Sequence, residues 1–364
     1  MKDRSEMAFF KKFFSSPLNV LTYGSIVALA LFLCCFNFGT GYGREAVWRA
    51  PAYYISEVGK SLESLAVLLA YLVMTALLFL VIQGQVQNFM TLARGKSGQL
   101  AFMGRGSLRS ALCNSGRKIG KAFCVVAPAF FLIFLMSFVL DGMNAVDRVR
   151  LVDISFLNID HAFLGGYAFM VFSSIPYPSF FIKFIIFSFE SLVGGLILSA
   201  FLLAYVNMRV LREMVASFCF CALLMVPFWV AFPALSPQDR FVDNIYHLST
   251  PPQIMAMVST YHPDAQIATF LASVRTSKNS LADMPTSTMP SAHAAWAMIM
   301  GYYLFRAKKW LGWIALPFLL ASTAGTVILA QHYFLDIVVG ILIAALAIKV
   351  VEFLISRGTA REIF

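Results

Sequence analysis

Residues 289–355 read MPSAHAAWAMIMGYYLFRAKKWLGWIALPFLLASTAGTVILAQHYFLDIVVGILIAALAIKVVEFLI. Three apolar runs, about 293–305, 311–331 and 335–355, follow one another with short polar breaks, RAKK at 306–309 and QHYFLD at 331–336. A membrane-crossing helix needs roughly 20 mostly apolar residues. The second and third runs meet that length and the first is short. One inward and one outward crossing separate PSAH from QHYFLD, so both polar segments return to the same side of the bilayer.

The rest of the chain agrees with this reading. Of its 364 residues, 60% are hydrophobic and 13% charged, and the mean hydropathy is +0.77. Soluble domains run about 45–50% apolar and about 25% charged, so a water-soluble globule and a disordered chain are both excluded. The 36 Phe and 13 Tyr suit a lipid-facing surface with aromatic belts. The expected fold class is an all-α polytopic membrane protein. Eight spans are expected, near 18–38, 64–83, 122–140, 180–206, 215–233, 293–305, 311–331 and 335–355. The first follows Lys2, Arg4, Lys11 and Lys12. It is too long for a signal peptide and reads as a retained anchor.

Charge then sets orientation. With both termini inside, the inner segments 1–17, 84–121, 207–214, 306–310 and the end from Lys349 hold 19 of the 28 Lys and Arg. That bias places the N-terminus in the cytoplasm. The five histidines, His161, His247, His262, His293 and His332, then fall at the outer face. Segment 1–121 is expected to be a two-helix membrane unit whose basic loop, 84–121, lies on the inner leaflet. Segment 122–364 is expected to be a six-helix core with an outer cap over 234–292.

Six cysteines with no CxxC spacing give neither a zinc site nor a redox pair. The net charge of +10 is spread loop by loop, without the single basic stripe of a nucleic-acid binder.

Chemistry concentrates in the two polar segments. Pro290 suits the first position of a helix, whose free N–H groups and dipole attract an anion. Ser291 adds a hydroxyl, and His293 lies in the same first turn. In the second segment His332 and Asp336 are four apart. On a helix they share a face, and an acid there fixes one ring nitrogen and leaves the other as nucleophile or base. A lone outer histidine is ordinarily a belt residue, and two His with one Asp fall short of a zinc site. The conjunction of PSxH and HxxxD across one helical hairpin is the specific signal.

MPSAHAAWA at 289–297 and QHYFLDIVVG at 331–340, with weaker echoes IDHAFLGG at 159–166 and FPALSP at 232–237, resemble the type-2 phosphatidic acid phosphatase superfamily. The closer likeness is to the branch of inositol phosphorylceramide and sphingomyelin synthases. The resemblance implies a six-helix core in which His332 attacks phosphorus and Asp336 orients it. His293 would shuttle the proton, and Ser291 would help hold phosphoryl oxygens. It implies no cofactor and no metal.

Phosphatases of the superfamily carry Ser-Arg shortly before the second histidine; here Gly325–Ala330 has no Arg. Their first motif, Lys followed by Arg-Pro, is also absent. These departures point to a phosphotransferase that moves a headgroup from a phospholipid donor to a lipid or alcohol acceptor at the outer face. A bacterial inner membrane is the favoured setting. The alternatives are hydrolysis of a lipid phosphate or pyrophosphate on the same residues, and a non-enzymatic transporter or scramblase. The phosphate-facing cation is expected to be Arg240, with Lys278 and Arg275 behind it. Glu190 is an intramembrane acid and a suspect by default, with Lys183 seven residues before it. His247 and His262 read as loop residues, and Asp160 as a shaper of the outer loop.

Overall fold

The computed structural model describes residues 16–40, 124–133, 135–136, 151–244, 246–278 and 288–361. These residues are helical in every main element. In chain order they form α1 (Pro17–Thr40), α2 (Cys124–Ile133), α3 (Asp153–Leu164), α4 (Ala168–Ser173), α5 (Ser179–Glu190), α6 (Leu192–Val206) and α7 (Met208–Ala231). A π-turn (Gln238–Val242) follows, then α8 (Pro252–Val258), α9 (Ala265–Lys278), α10 (Ala292–Ala307), α11 (Lys309–Ile328) and α12 (Phe334–Arg361).

Among the described residues, three helices are long and apolar enough to cross a bilayer: α7, α11 and α12 through Arg357. The expected span 180–206 is not one straight helix. It breaks at Ser191 into α5 and α6, bent by 67°, and counts as a fourth span if taken as a unit. Helix α10, at 16 residues, stays as short as its sequence implies. The expected span 64–83 and the basic loop 84–121 lie outside the described residues, and 122–140 is described only in part. The several apolar helices fit a multi-pass membrane protein.

Packing among the described residues gives two large apolar clusters and a small third one of Ala168, Ala294, Val327 and Ile337. The larger joins α1, α2, α6, α7, α10 and α12, through Leu29, Leu132, Leu203, Phe218, Tyr303 and Ala344 among others. Helix α1 packs on α7 and α12 within it. The second joins α3, α5, α9 and the end of α11 through Phe156, Ile185, Phe270 and Ile328. Exposed Trp310 and Trp313 follow the basic turn at 306–309, where amphipathic rings suit the bilayer surface.

One end of the bundle is tied by charge. Glu213 is buried and pairs with Arg306 (3.0 Å) and Arg209 (3.2 Å). Glu352 pairs with Lys349 (2.9 Å) and accepts from Tyr302. These bonds join α7, α10 and α12. The opposite end carries PSAH and QHYFLD.

Candidate active site

The site forms where α10 begins, α11 ends and α12 begins. Helix α11 stops in a Schellman motif: Ala330 donates to Val327 O and Gln331 to Thr326 O, each at 2.9 Å. Ala330 takes the left-handed conformation (φ 55°) that usually falls to glycine. His332 N–H also donates to Thr326 O at 2.9 Å, so the catalytic candidate hangs from the last turn of α11.

His332 therefore precedes α12 rather than riding on it. The expected i,i+4 contact survives because the turn curls back. His332 Nδ1 lies 3.3 Å from Asp336 Oδ2. The same oxygen accepts from the Tyr333 N–H at 3.0 Å. Asp336 is the third residue of α12 and reaches back to the residue before the helix, half of a capping box. Its side chain is fully buried, while that of His332 is 13% exposed. With Nδ1–H donating to the carboxylate, Nε2 keeps its lone pair.

The first turn of α10 faces this segment. Ser291 is its N-cap, and Oγ accepts from Ala294 N at 3.3 Å. Pro290 thus precedes the cap instead of opening the helix, and Trp229 Nε1 donates to its carbonyl at 3.3 Å. Ser291 N–H donates to the Asp336 carbonyl at 2.9 Å. The first-turn amides of Ala292 and His293 have no carbonyl one turn back within their helix. They are the anion-binding groups that a helix start offers.

His293 is held by the break in the α5–α6 span. Its Nε2 lies 3.2 Å from Phe189 O, a carbonyl at the end of α5 where a continuous helix would have used it. The two rings stack at 4.5 Å with 12° between planes. A ring nitrogen facing a carbonyl carries its proton, so Nε2–H donates and Nδ1 is the working nitrogen. The His332 ring is close enough to act on His293 electrostatically. Irregular backbone at membrane depth persists where protein covers it, and here Gly325 of α11 lets α5 approach closely at Ile185 and Phe189.

Arg240 makes its contacts elsewhere. It is buried, and its guanidinium donates to Thr250 Oγ1 (3.0 Å) and Ser249 O (2.8 Å), with Nε 3.8 Å from Asp153 Oδ2. Lys278 ends α9, and its side chain is outside the described residues. Arg275 pairs with Asp243 in the cap. Glu190 closes α5 at the bend; it and Lys183 are both exposed. His247 and His262 are exposed in the cap.

Several supporting residues are not apparent from motif reading. Gln238 N–H donates to Ala330 O at 2.9 Å, and Gln331 Nε2 to Gln238 Oε1 at 2.6 Å, stitching the cap to the His332 turn. Asp153 accepts from Leu235 N–H at 2.6 Å and from the Tyr333 hydroxyl at 3.4 Å. Asp160 accepts from Phe334 and Leu335 N–H at 2.8 and 3.1 Å. Burial pushes the carboxyl of Asp153 up to about 7 and that of Asp160 up to about 6; nearby Asp336 adds to the second shift. The available signal was an acid pair seven apart, on one face of the helix Asp153–Leu164.

Two histidines, a buried acid and a helix start converging at one end of an apolar bundle are the equipment of a membrane phosphoryl-transfer enzyme. A family model of the PAP2 superfamily matches residues 165–350. That is half of the chain, and the chain belongs to the PAP2 superfamily. No curated protein and no solved structure matches it. Membership brings phosphatase or phosphotransferase chemistry on lipid phosphates.

Proposed function

We propose that the protein is a membrane phosphotransferase that moves a phospho-headgroup from a phospholipid to a lipid or alcohol acceptor through phospho-His332. His332 Nε2 attacks phosphorus and forms a P–N bond while the P–O bond to the donor lipid breaks. With the donor phosphate bound, His293 is the imidazolium: Nε2–H stays on the Phe189 carbonyl, and the second proton, on Nδ1, passes to the leaving oxygen. In the second half the acceptor hydroxyl gives its proton to His293 Nδ1 and its oxygen attacks phosphorus. The P–N bond then breaks and His332 is restored. Splitting one displacement in two is the advantage of covalent catalysis. Asp336 stabilises the imidazole as positive charge builds. The Ala292 and His293 amides, with the Ser291 hydroxyl, bind the phosphoryl oxygens.

The observation that carries this reading is the bond between His332 Nδ1 and Asp336, which frees Nε2 in the same corner as His293. Transfer is favoured over hydrolysis by charge. Arg240 has its guanidinium committed to cap carbonyls and Asp153. A site relying on amides suits the single charge of a phosphodiester better than a monoester dianion. Arg209, Arg306, Lys308, Lys309 and Lys349 lie at the end opposite the histidines, which supports an outward-facing site.

The test is lipid mass spectrometry of cells with the gene, without it, and carrying His332→Ala. A lipid with a new headgroup that vanishes in both deletion and variant supports transfer. Release of inorganic phosphate from phosphatidate or polyprenyl diphosphate, with no new lipid, supports the hydrolase. An unchanged cellular phenotype in a folded His332→Ala protein supports a non-enzymatic lipid transporter.

A further inference from the structure

We propose that Asp160 is a positioning residue for His332: its carboxylate, contributed by α3, completes the cap of α12 and so sets where the attacking nitrogen stands. The inference rests on the phospho-His332 reading above.

The start of α12 has an unusual deficit. A helix needs acceptors for its first N–H groups, and the usual source is a Ser, Thr, Asn or Asp immediately before it. That position holds Tyr333, whose hydroxyl points away to Asp153. Asp336 supplies one half of a capping box by accepting from Tyr333 N–H. The other half, an acceptor for the next amides, comes from a different helix. One Asp160 oxygen takes Phe334 N–H at 2.8 Å and the other takes Leu335 N–H at 3.1 Å.

Asp160 is 2% exposed, so these bonds form out of water, where they are strong and their loss is costly. Only Tyr333 separates His332 from Phe334, and Asp336 follows Leu335. The Asp160 carboxylate therefore grips the backbone between the nucleophile and the acid that orients it. Asp153, two turns earlier on α3, holds Tyr333 and the Leu235 amide. Helix α3 thus braces the catalytic turn at two points. Helix α3 itself lies before the stretch matched by the superfamily model, which begins at residue 165.

The experiment is binding of orthovanadate, which takes up the five-coordinate shape of a transferring phosphoryl group, to the purified full-length protein in detergent by calorimetry. Wild type, His332→Ala, Asp160→Ala and Asp160→Asn are compared below their melting temperatures. The expected order is tight binding by wild type, loss in His332→Ala, and weakening of about tenfold or more in Asp160→Ala. Asp160→Asn, which keeps one of the two acceptor oxygens, should bind about threefold more weakly than wild type. Wild-type affinity in folded Asp160→Ala, with binding lost in His332→Ala, overturns the role of Asp160 alone. No binding by wild type, or equal binding by His332→Ala, overturns the phospho-His332 reading and this inference with it. If Asp160→Ala does not fold, Asp160→Asn decides: slightly weakened binding supports the role, and an affinity equal to wild type overturns it.

Discussion

Gly340 on α12 lies directly against the backbone of Ser291, so close that a Cβ at position 340 would overlap the Ser291 carbonyl oxygen. This contact lets the start of α10 lean on α12, with Ser291 N–H bonded to Asp336 O. It thereby sets the spacing between His293 and His332. Gly340→Ala should push the two helices apart. Overpacking of this kind costs about 1–3 kcal/mol, and turnover should fall by more than the loss of folded protein explains. Thermal melting and rate measured on the same preparation check this; an unaltered rate would show that the contact does not set the site.

His332→Ala and His293→Ala should each lower the rate by at least the roughly 10²–10⁴ of a general acid–base group. His332→Ala should fall furthest, since it removes the nucleophile. The check is initial rate on whichever donor lipid the cellular profile identifies.

Asp336→Asn keeps the size of the side chain and can still accept from Tyr333 N–H. It loses the charge that steadies the His332 ring. Activity should drop by two decades or more with a small change in melting temperature. Equal activity would remove Asp336 from the mechanism.

Arg240→Ala tests whether this cation serves the cap or the phosphate. Its partner Asp153 would be left buried with less compensation, a change worth on the order of 3 kcal/mol. The expected result is a lower melting temperature with the Km for donor lipid little changed. A large rise in Km with normal stability would return Arg240 to the phosphate.

Asp153 should also leave a mark on stability against pH. Its folded value, about 7, lies above the ordinary carboxyl value because of burial. The native state therefore holds this proton after the unfolded chain has released it. From this group, stability is greatest below pH 4 and declines as pH rises from about 4 to about 7. Asp153→Asn should flatten the fall in melting temperature across pH 5–7.5. A profile parallel to wild type would show that Asp153 does not titrate there.

Much of the site was legible because its chemistry is local in sequence. HxxxD survives as a contact even though His332 sits before the helix, since a capping turn spans the same four residues. PSAH was legible as a helix start, though Ser291, not Pro290, makes the boundary. The break at Ser191 was hidden, because 180–206 is mostly apolar with no proline, and Glu190 at the bend reads as an isolated intramembrane acid and not as a helix stop; what the break exposes, the Phe189 carbonyl, is a backbone group. The end of α11 was misplaced by three residues because Ala330 occupies the left-handed position where a glycine would have announced the stop. Asp160 and Gly340 were visible as letters, but their roles depend on contacts with other helices. The commitment of Arg240 to the cap likewise follows from loop carbonyls that no motif encodes.

The central claim is a covalent bond to one imidazole nitrogen. Rapid quenching of the purified protein during turnover of its donor lipid under alkaline conditions, which preserve P–N bonds, followed by peptide mass spectrometry, tests it directly. The account predicts a phospho-headgroup adduct on His332, absent in His332→Ala and consumed when acceptor is added. Full turnover with His332 unmodified at every time point, or the adduct on another residue, would contradict it.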